Sequence, residues 1–547
     1  MTQTMPYFGA PAGAPWWKGA IIYQIYPRSF LDSDGDGVGN LAGIIAGLDH
    51  VASLGVDAIW LSPFFVSPMR DYGYDVADYC DVDPMFGTLA DCDALIARAH
   101  ALGLRVIVDM VCSHSSDRHP WFLSSCADLA GPHGDWYVWA DPRCEGSPPN
   151  NWQSLFGGPA WTWNAKRRQY YMHNFLKEQP QLNCRNPAVQ DALLDAMRFW
   201  LDRGVDGFRL DAINYAMHNP ALTDNPPRRP EDGARTRPFD FQVHLHNQSQ
   251  PEILGFLRRI RDLADSYGEI FLVGEVGGEW SAQETKLYTA WDRHLHSCYS
   301  FAFLTAPELT TDVVAQTVGE WSGAAGEGWP SWAFSNHDAP RVATRWAARD
   351  GRLLSAEFSM ALLLSLRGNA FVYQGEELGL PHADVPFAAL RDPEAIHNWP
   401  HGVGRDGART PLPWRADAAH GGFTTGEPWL PVDRRHLPLA IDQQEAGPQS
   451  ELARVRHLIA LRENHLALRT GSYRSLGAPS PLLAFDRGEG KDVIRCLFNL
   501  GEAPVATDLL EGWQPLLETS ATARPGMIAP RTAIWATPRR QAQEADS

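Results

Sequence analysis

Several things are scarce in this sequence, and each scarcity excludes a class of protein. No CxxC pair occurs. The eight cysteines (Cys80, Cys92, Cys112, Cys126, Cys144, Cys184, Cys298 and Cys496) are dispersed, so neither a thiolate zinc site nor a disulfide scaffold is signalled. No apolar run approaches the roughly 20 residues that cross a bilayer. Residues Met1 to Trp17 lack the basic segment and apolar core of a secretory signal. The expectation is a cytoplasmic protein with reduced thiols. Positive charge is short: 47 Lys and Arg stand against 65 Asp and Glu, a net charge of −18. That balance argues against nucleic acid and against an anionic membrane as partners.

What is present is an ordinary globular composition, 44% hydrophobic and 20% charged. At 547 residues the chain is too long for one core, so two or three domains are expected. The 21 tryptophans serve either large cores or the stacking of sugar rings, whose faces are apolar. Composition does not decide between the two.

Strand and helix patterns alternate along the chain. β-rich apolar runs fall at 20–26, 56–61, 104–109, 206–210, 270–275, 299–304, 332–336 and 370–373, and helical periodicity falls at 41–54, 91–102, 188–203, 252–267 and 450–464. Strand–helix alternation signals a parallel sheet with helical crossovers. Eight such strands predict a (β/α)8 barrel, an α/β fold. Residues 114–181 are rich in Trp, Pro, Gly and Asn and lack helical periodicity. They are too many for a connecting loop and predict an inserted subdomain after the third strand. The expected organisation is a barrel in two parts, 1–113 and 182–470, with subdomain 114–181 between them. A long excursion, 214–250, follows the fourth strand, and a C-terminal all-β sandwich spans 471–547.

A barrel gathers the C-terminal ends of its strands at one mouth. Those ends carry Asp109, Asp211, Glu275 and the pair His337-Asp338. Each carboxylate alone reads as a solvated strand cap, but four at one mouth repel each other and serve no folding purpose. Cleavage through an oxocarbenium-like state needs such a set: an ionised carboxylate below the ring and a protonated acid at the leaving oxygen. Arg209 lies two residues before Asp211 on a strand, hence on the same face, and is expected to keep it ionised. Glu275 follows Phe271-Leu272-Val273, and an apolar setting raises a carboxyl towards the acid role.

Near the N-terminus, Asp32-Ser33-Asp34-Gly35-Asp36-Gly37-Val38-Gly39-Asn40 matches the first half of a calcium loop. The twelfth position is Gly43, where such loops carry a bidentate Glu. A structural hard cation, Ca2+ or Mg2+, is expected on Asp32, Asp34, Asp36, the Val38 carbonyl and Asn40. No organic cofactor is expected.

The segments Asp109-Met110-Val111-Cys112-Ser113-His114, Gly207-Phe208-Arg209-Leu210-Asp211-Ala212, Val273-Gly274-Glu275-Val276 and Phe334-Ser335-Asn336-His337-Asp338 resemble the four signature segments of the α-amylase superfamily, glycoside hydrolase family 13. Gly55 to Pro63 and Gly375 to Gly379 resemble two further segments. The set is highly specific and spans nearly the whole chain. Within the family it is similar to the bacterial α-glucosidases, near the xanthomonad α-glucosyl-transfer enzymes and the oligo-1,6-glucosidase group. The resemblance implies Asp211 as nucleophile, Glu275 as general acid/base and Asp338 as the third carboxylate. It implies contacts to the first glucose from Arg209, His114 and His337, a grip from Asp71 and a stacking ring from Tyr74. Arg405 is the expected partner of Asp71, with Arg409 the alternative.

Two positions depart from common patterns. Gln181 stands where many members carry Asp, which disfavours a calcium between barrel and subdomain. Ala212 follows the nucleophile, where α-1,6-cutting members carry Val, which favours α-1,4 linkages. The expectation is a retaining, exo-acting α-glucosidase for maltose-like substrates that also transfers glucose to acceptor hydroxyls, as a monomer or homodimer. The alternatives are an isomaltose-cleaving or a sucrose-acting relative. A non-catalytic family member would have lost carboxylates and gained a membrane span, and neither is seen.

Overall fold

The computed structural model describes residues 14–229, 237–321, 328–397, 399–400, 404–520 and 526–539. Eight parallel strands close a barrel: β1 (Ile21–Ile25), β2 (Ala58–Leu61), β3 (Arg105–Val111), β4 (Gly207–Asp211), β5 (Phe271–Val276), β6 (Ser297–Ser300), β7 (Trp329–Ala333) and β8 (Asn369–Tyr373). Each pairs with its sequence neighbours, and β8 pairs with β1 to complete the ring. Every residue of β1, β2, β4, β5, β7 and β8 is buried. That is why these strands read as continuous apolar runs rather than alternating ones.

The helices between strands start where the sequence can cap them. Asn40 accepts from Gly43 N to open Leu41–Ser53, Asn186 opens Pro187–Asp202, and Ser450 opens Glu451–Glu463. Leu89–Ala101 begins two residues before the expected 91, because Thr88 and Asp91 cap each other's backbone. The helix Ala356–Ser365 is buried throughout.

Three expectations need correcting. The sixth strand is Ser297–Ser300, and Ala302–Thr305, read as its continuation, is helical. The seventh strand is Trp329–Ala333 rather than 332–336. Pro330 disguised its start, since proline is rare inside strands. Its end is set by Asn336, whose Oδ1 accepts from Asp338 N at 2.9 Å and Ala339 N at 2.8 Å and turns the chain. The inserted region does contain a helix, Pro120–Ala127, opened by His119 with proline in its first turn.

The insertion also carries a three-stranded antiparallel sheet of Trp139–Ala140, Trp161–Asn164 and Gln169–Met172. The excursion after β4 holds short 3-10 turns at Ile213–Tyr215 and Pro238–Phe241; its residues 230–236 lie outside the described residues. Beyond the barrel, Tyr473–Ser475, Leu482–Arg487, Ile494–Asn499, Thr532–Pro538 and Trp513–Glu518 form an antiparallel sheet in that order, and Val505–Ala506 pairs with Met527–Ile528. A buried arginine joins it to the barrel: Arg487 donates to Ser365 O at 2.6 Å. Among the described residues no helix is long and apolar enough to cross a membrane.

Candidate active site

Parallel register brings the carboxylates together. Arg209 lies opposite Asp109 on β3 and Val273 on β5. From that central place its guanidinium, fully buried, reaches three acids. Nη1 donates to Asp211 Oδ1 at 2.6 Å and Asp109 Oδ1 at 2.8 Å, and Nη2 pairs with Glu275 Oε2 at 2.6 Å. The Trp60 ring lies 5.0 Å beneath it, a face that favours a cation.

One cation shared among three buried acids cannot hold all of them ionised. Burial pushes the carboxyls of Asp109, Asp211 and Glu275 upward, against the pull of Arg209, and Glu275 rises to about 7. Arg209 favours the ionised form of Asp211, as expected, while burial and the neighbouring Asp109 oppose it. Asp338 differs. It is the most exposed of the proposed catalytic trio, with 26% of its side chain accessible, and is paired with Arg409 at 2.6 Å and Arg405 at 3.4 Å. Although its burial works the other way, His337 and these cations hold its carboxyl far below the usual range.

The second half of the pocket is built around Arg405. Its Nη2 donates to Asp71 Oδ1 at 2.8 Å and to Asp392 Oδ1 at 2.7 Å. Arg405, not Arg409, is the partner of Asp71. The alternative, Arg409, donates instead to Asp338 and to the His337 carbonyl. Asp71 sits in a turn tied by Asp75, which accepts from Asp71 N at 3.0 Å and Arg70 N at 2.9 Å. Gly73 holds φ +111° there, and a Cβ would meet Pro63 O at 2.9 Å, so only glycine fits.

Tyr74 and His337 stack at 5.5 Å with 7° between their planes. Gln24 Nε2 lies 2.8 Å from His337 Nδ1, His337 Nε2 lies 2.6 Å from the Tyr74 hydroxyl, and that hydroxyl donates to Asp109 Oδ2 at 3.1 Å. Burial lowers His337 to about 3, so the ring is neutral and passes hydrogen bonds from Gln24 towards Asp109. His114 is likewise lowered to about 3 by burial. It lies between Ser113 Oγ at 2.9 Å and the Tyr74 carbonyl at 3.1 Å.

Four contributors carried no signal in sequence. Gln179, from the insertion, donates to Asp71 Oδ2 at 3.1 Å. Asp392 supports Arg405, Gln24 supports His337, and Tyr299 bridges Arg209 and Glu275. Gln181 has both its polar atoms committed, donating to Tyr215 O and accepting from Asn174, each at 2.9 Å. Ala212 adopts φ 38°, ψ 45°, donates its N–H to Glu275 Oε2 at 3.0 Å, and packs against the cluster Phe156, Phe175 and Tyr215.

At the Asp32 loop, oxygens of Asp32, Asp34 and Asp36 lie within 4.8 Å of one another, a spacing one hard cation spans. Asn40 is otherwise engaged. Its Oδ1 accepts from Ser33 Oγ and Gly43 N, each at 2.8 Å, so its side-chain oxygen serves the helix start. Asp32 also fastens the loop to the 424–429 segment through Thr424 Oγ1 at 2.5 Å, and Gly37 O accepts from Trp429 N at 3.0 Å.

The barrel, its strand-end acids and the arginine hub define a glycoside-processing enzyme. The family profile "Alpha amylase, catalytic domain" matches residues 24–471, and a "Domain of unknown function (DUF3459)" profile matches 469–535. The chain belongs to the α-amylase family, glycoside hydrolase family 13. It is 49% identical over 503 residues to a probable alpha-glucosidase of Rhizobium meliloti (strain 1021), covering 90% of this chain and 91% of the relative. It is 35% identical over 539 residues to an oligo-1,6-glucosidase of Heyndrickxia coagulans, covering 92% and 95%. Among solved structures, the alpha-glucosyl transfer enzyme XgtA superposes with a TM-score of 0.92 at 48% identity, covering 96% of this chain and 100% of that one.

Proposed function

We infer that the protein is a retaining α-glucosidase that removes single glucose units from the non-reducing end of short α-1,4-glucosides such as maltose, and that it transfers glucose to acceptor hydroxyls. The observation that carries this reading is the pairing of two assemblies in one pocket: the Arg209 hub with Asp211 and Glu275, and the buried Asp71–Arg405 pair beside Asp338. The first suits bond cleavage. The second suits the hydroxyls of a terminal glucose and closes the pocket beyond it.

In this reading the Asp211 carboxylate attacks the anomeric carbon as Glu275 gives its proton to the departing glycosidic oxygen. The result is a glucosyl ester on Asp211. Glu275, now ionised, takes a proton from water or an acceptor hydroxyl, whose oxygen displaces Asp211. Asp338, held ionised, binds two ring hydroxyls. His114, His337 and Arg209 orient the same sugar, and Tyr74 lies against its face. The names of the relatives support glucosidase and glucosyl-transfer chemistry alike.

The Asp32 loop belongs to the same reading as a structural cation site, with Asp32, Asp34, Asp36 and the Val38 carbonyl as ligands and Asn40 completing the loop from its cap. The cation would offset the repulsion of the three acids. Product profiling on maltose, isomaltose and sucrose, with and without an added acceptor, tests the reading. Maltose should be turned over fastest, with glucosylated acceptor accumulating early. Turnover of sucrose or isomaltose in preference to maltose would overturn the linkage assignment.

A further inference from the structure

β6 contributes one side chain to the acid cluster that no role above uses. Tyr299 is the register partner of Glu275 across β5 and β6, so the two side chains rise from the same height. The Tyr299 ring is 1% exposed and held by Phe371 at 5.7 Å, Trp60 at 6.4 Å and Phe301 at 6.4 Å. Its hydroxyl accepts from Arg209 Nε at 3.2 Å and Nη2 at 3.1 Å, and lies 3.2 Å from Glu275 Oε1. Arginine only donates, so both lone pairs of the phenol are spent on the guanidinium and its single proton goes to Glu275 Oε1. The other oxygen of Glu275 faces Ala212 N and Arg209 Nη2. Asp109, Asp211, Asp338 and Tyr215 are the remaining titratable groups around Glu275, and the three carboxylates oppose its ionisation.

We propose that Tyr299 is a positioning residue for the acid/base step: its hydroxyl fixes the Glu275 carboxyl and stabilises the carboxylate left when the proton moves to the leaving oxygen. The inference rests on the assignment of Glu275 as general acid/base. As the glycosidic C–O bond breaks and the Asp211 ester forms, one proton leaves Glu275, and negative charge appears on the carboxyl group to which the phenol donates. A hydrogen bond to a charged acceptor is stronger than one to a neutral acceptor. Tyr299 therefore binds the transition state better than the ground state. The phenol itself stays protonated throughout.

Tyr299→Phe removes only the hydroxyl. For maltose, kcat/KM should fall about 10–100-fold, the worth of one hydrogen bond to a charged group. For a dinitrophenyl α-glucoside, whose leaving group departs without a proton, the loss should be at least tenfold smaller. The alkaline limb of the maltose pH profile should move to higher pH, because the ionised form has lost a donor. Equal losses on both substrates with an unmoved limb would reduce Tyr299 to a packing role and overturn the proposal. If Tyr299→Phe melts early, the same two substrates compared at low temperature, where the variant is folded, decide the matter. A loss concentrated on maltose supports the proposal and equal losses overturn it. A wild type inactive on both glucosides would instead overturn the parent reading.

Discussion

Asp71 and Arg405 stand 334 residues apart in the chain and meet at 2.8 Å, both side chains less than 10% exposed. Arg405 also holds Asp392, whose side chain is wholly buried. Removing the guanidinium would leave two buried acids without their paired cation. Breaking a buried pair in this way costs about 3–5 kcal/mol. Arg405→Ala should therefore lower Tm markedly and reduce kcat/KM on maltose by at least about 100-fold. Arg405→Lys should recover part of the stability and little of the activity, since an ammonium cannot fork between Asp71 and Asp392. Thermal melts and maltose kinetics on both variants check this. Wild-type behaviour of Arg405→Ala would show that the pair is ornamental.

The raised Glu275 carboxyl has two pH consequences. As an acid it works only when protonated, so kcat/KM should fall as pH rises through about 7. Between its unfolded value near 4.5 and about 7, the native state binds more protons at Glu275 than the unfolded chain does. Stability should therefore fall as pH rises across that window, by on the order of 1–3 kcal/mol. Glu275→Gln, which never ionises, should be inactive on maltose yet gain Tm relative to wild type at pH 8 and not at pH 5. Calorimetry at the two pH values reads the difference. A gain that is equal at both would place the effect in packing rather than ionisation.

The proposed cation site at the Asp32 loop should report through stability. Adding Ca2+ to a chelated sample should raise Tm in proportion to the logarithm of its concentration above Kd. Asp34→Ala and Asp36→Ala should abolish that rise while changing kcat on maltose less than about threefold at low temperature, if the cation only offsets like charges. A wild-type Tm indifferent to Ca2+ and Mg2+ would make this a plain turn held by its own hydrogen bonds.

Most of the barrel was legible because its strands are buried on both faces and its helices carry their own caps. The errors came where one signal masked another. Pro330 concealed the start of β7, and the Pro- and Trp-rich insertion concealed Pro120–Ala127, whose proline sits in the one turn that tolerates it. The strand-end acids, Asp71 and the arginines of the site were legible from their chemistry and from family resemblance, whereas Asp392 was not. Gln24, Gln179 and Tyr299 were not, because neutral side chains act there only through partners that the fold supplies. Sequence shows that Arg209 is the neighbour of Asp211, but not that Asp109 and Glu275 share the same guanidinium.

The proposed preference for α-1,4 linkages rests on Ala212, which sits at a strained backbone position. Ala212 holds φ 38°, ψ 45° beside Phe156, Phe175 and Tyr215, a left-handed conformation that costs a non-glycine residue about 1–2 kcal/mol. Valine, stiff at χ1, adds bulk at a strained position. Wild type should cleave maltose at least about tenfold more efficiently than isomaltose, within what pocket discrimination supplies. Ala212→Val should lower Tm and shift the ratio towards isomaltose, while Ala212→Gly should hold Tm and leave the preference for maltose. Measured kcat/KM for both sugars on the three proteins settles it. A ratio that does not move would shift attention to the excursion at 214–250.

In the proposed mechanism Asp211 carries the glucose between the two half-reactions. A fluorinated glucosyl donor with a good leaving group forms the ester but slows its release, so the labelled protein can be digested and mapped by mass spectrometry. One glucosyl group per chain is expected, on the peptide that contains Asp211, and none on Asp211→Asn. A label on Glu275 or Asp338 would contradict it. So would an unlabelled protein that turns maltose over to β-glucose first.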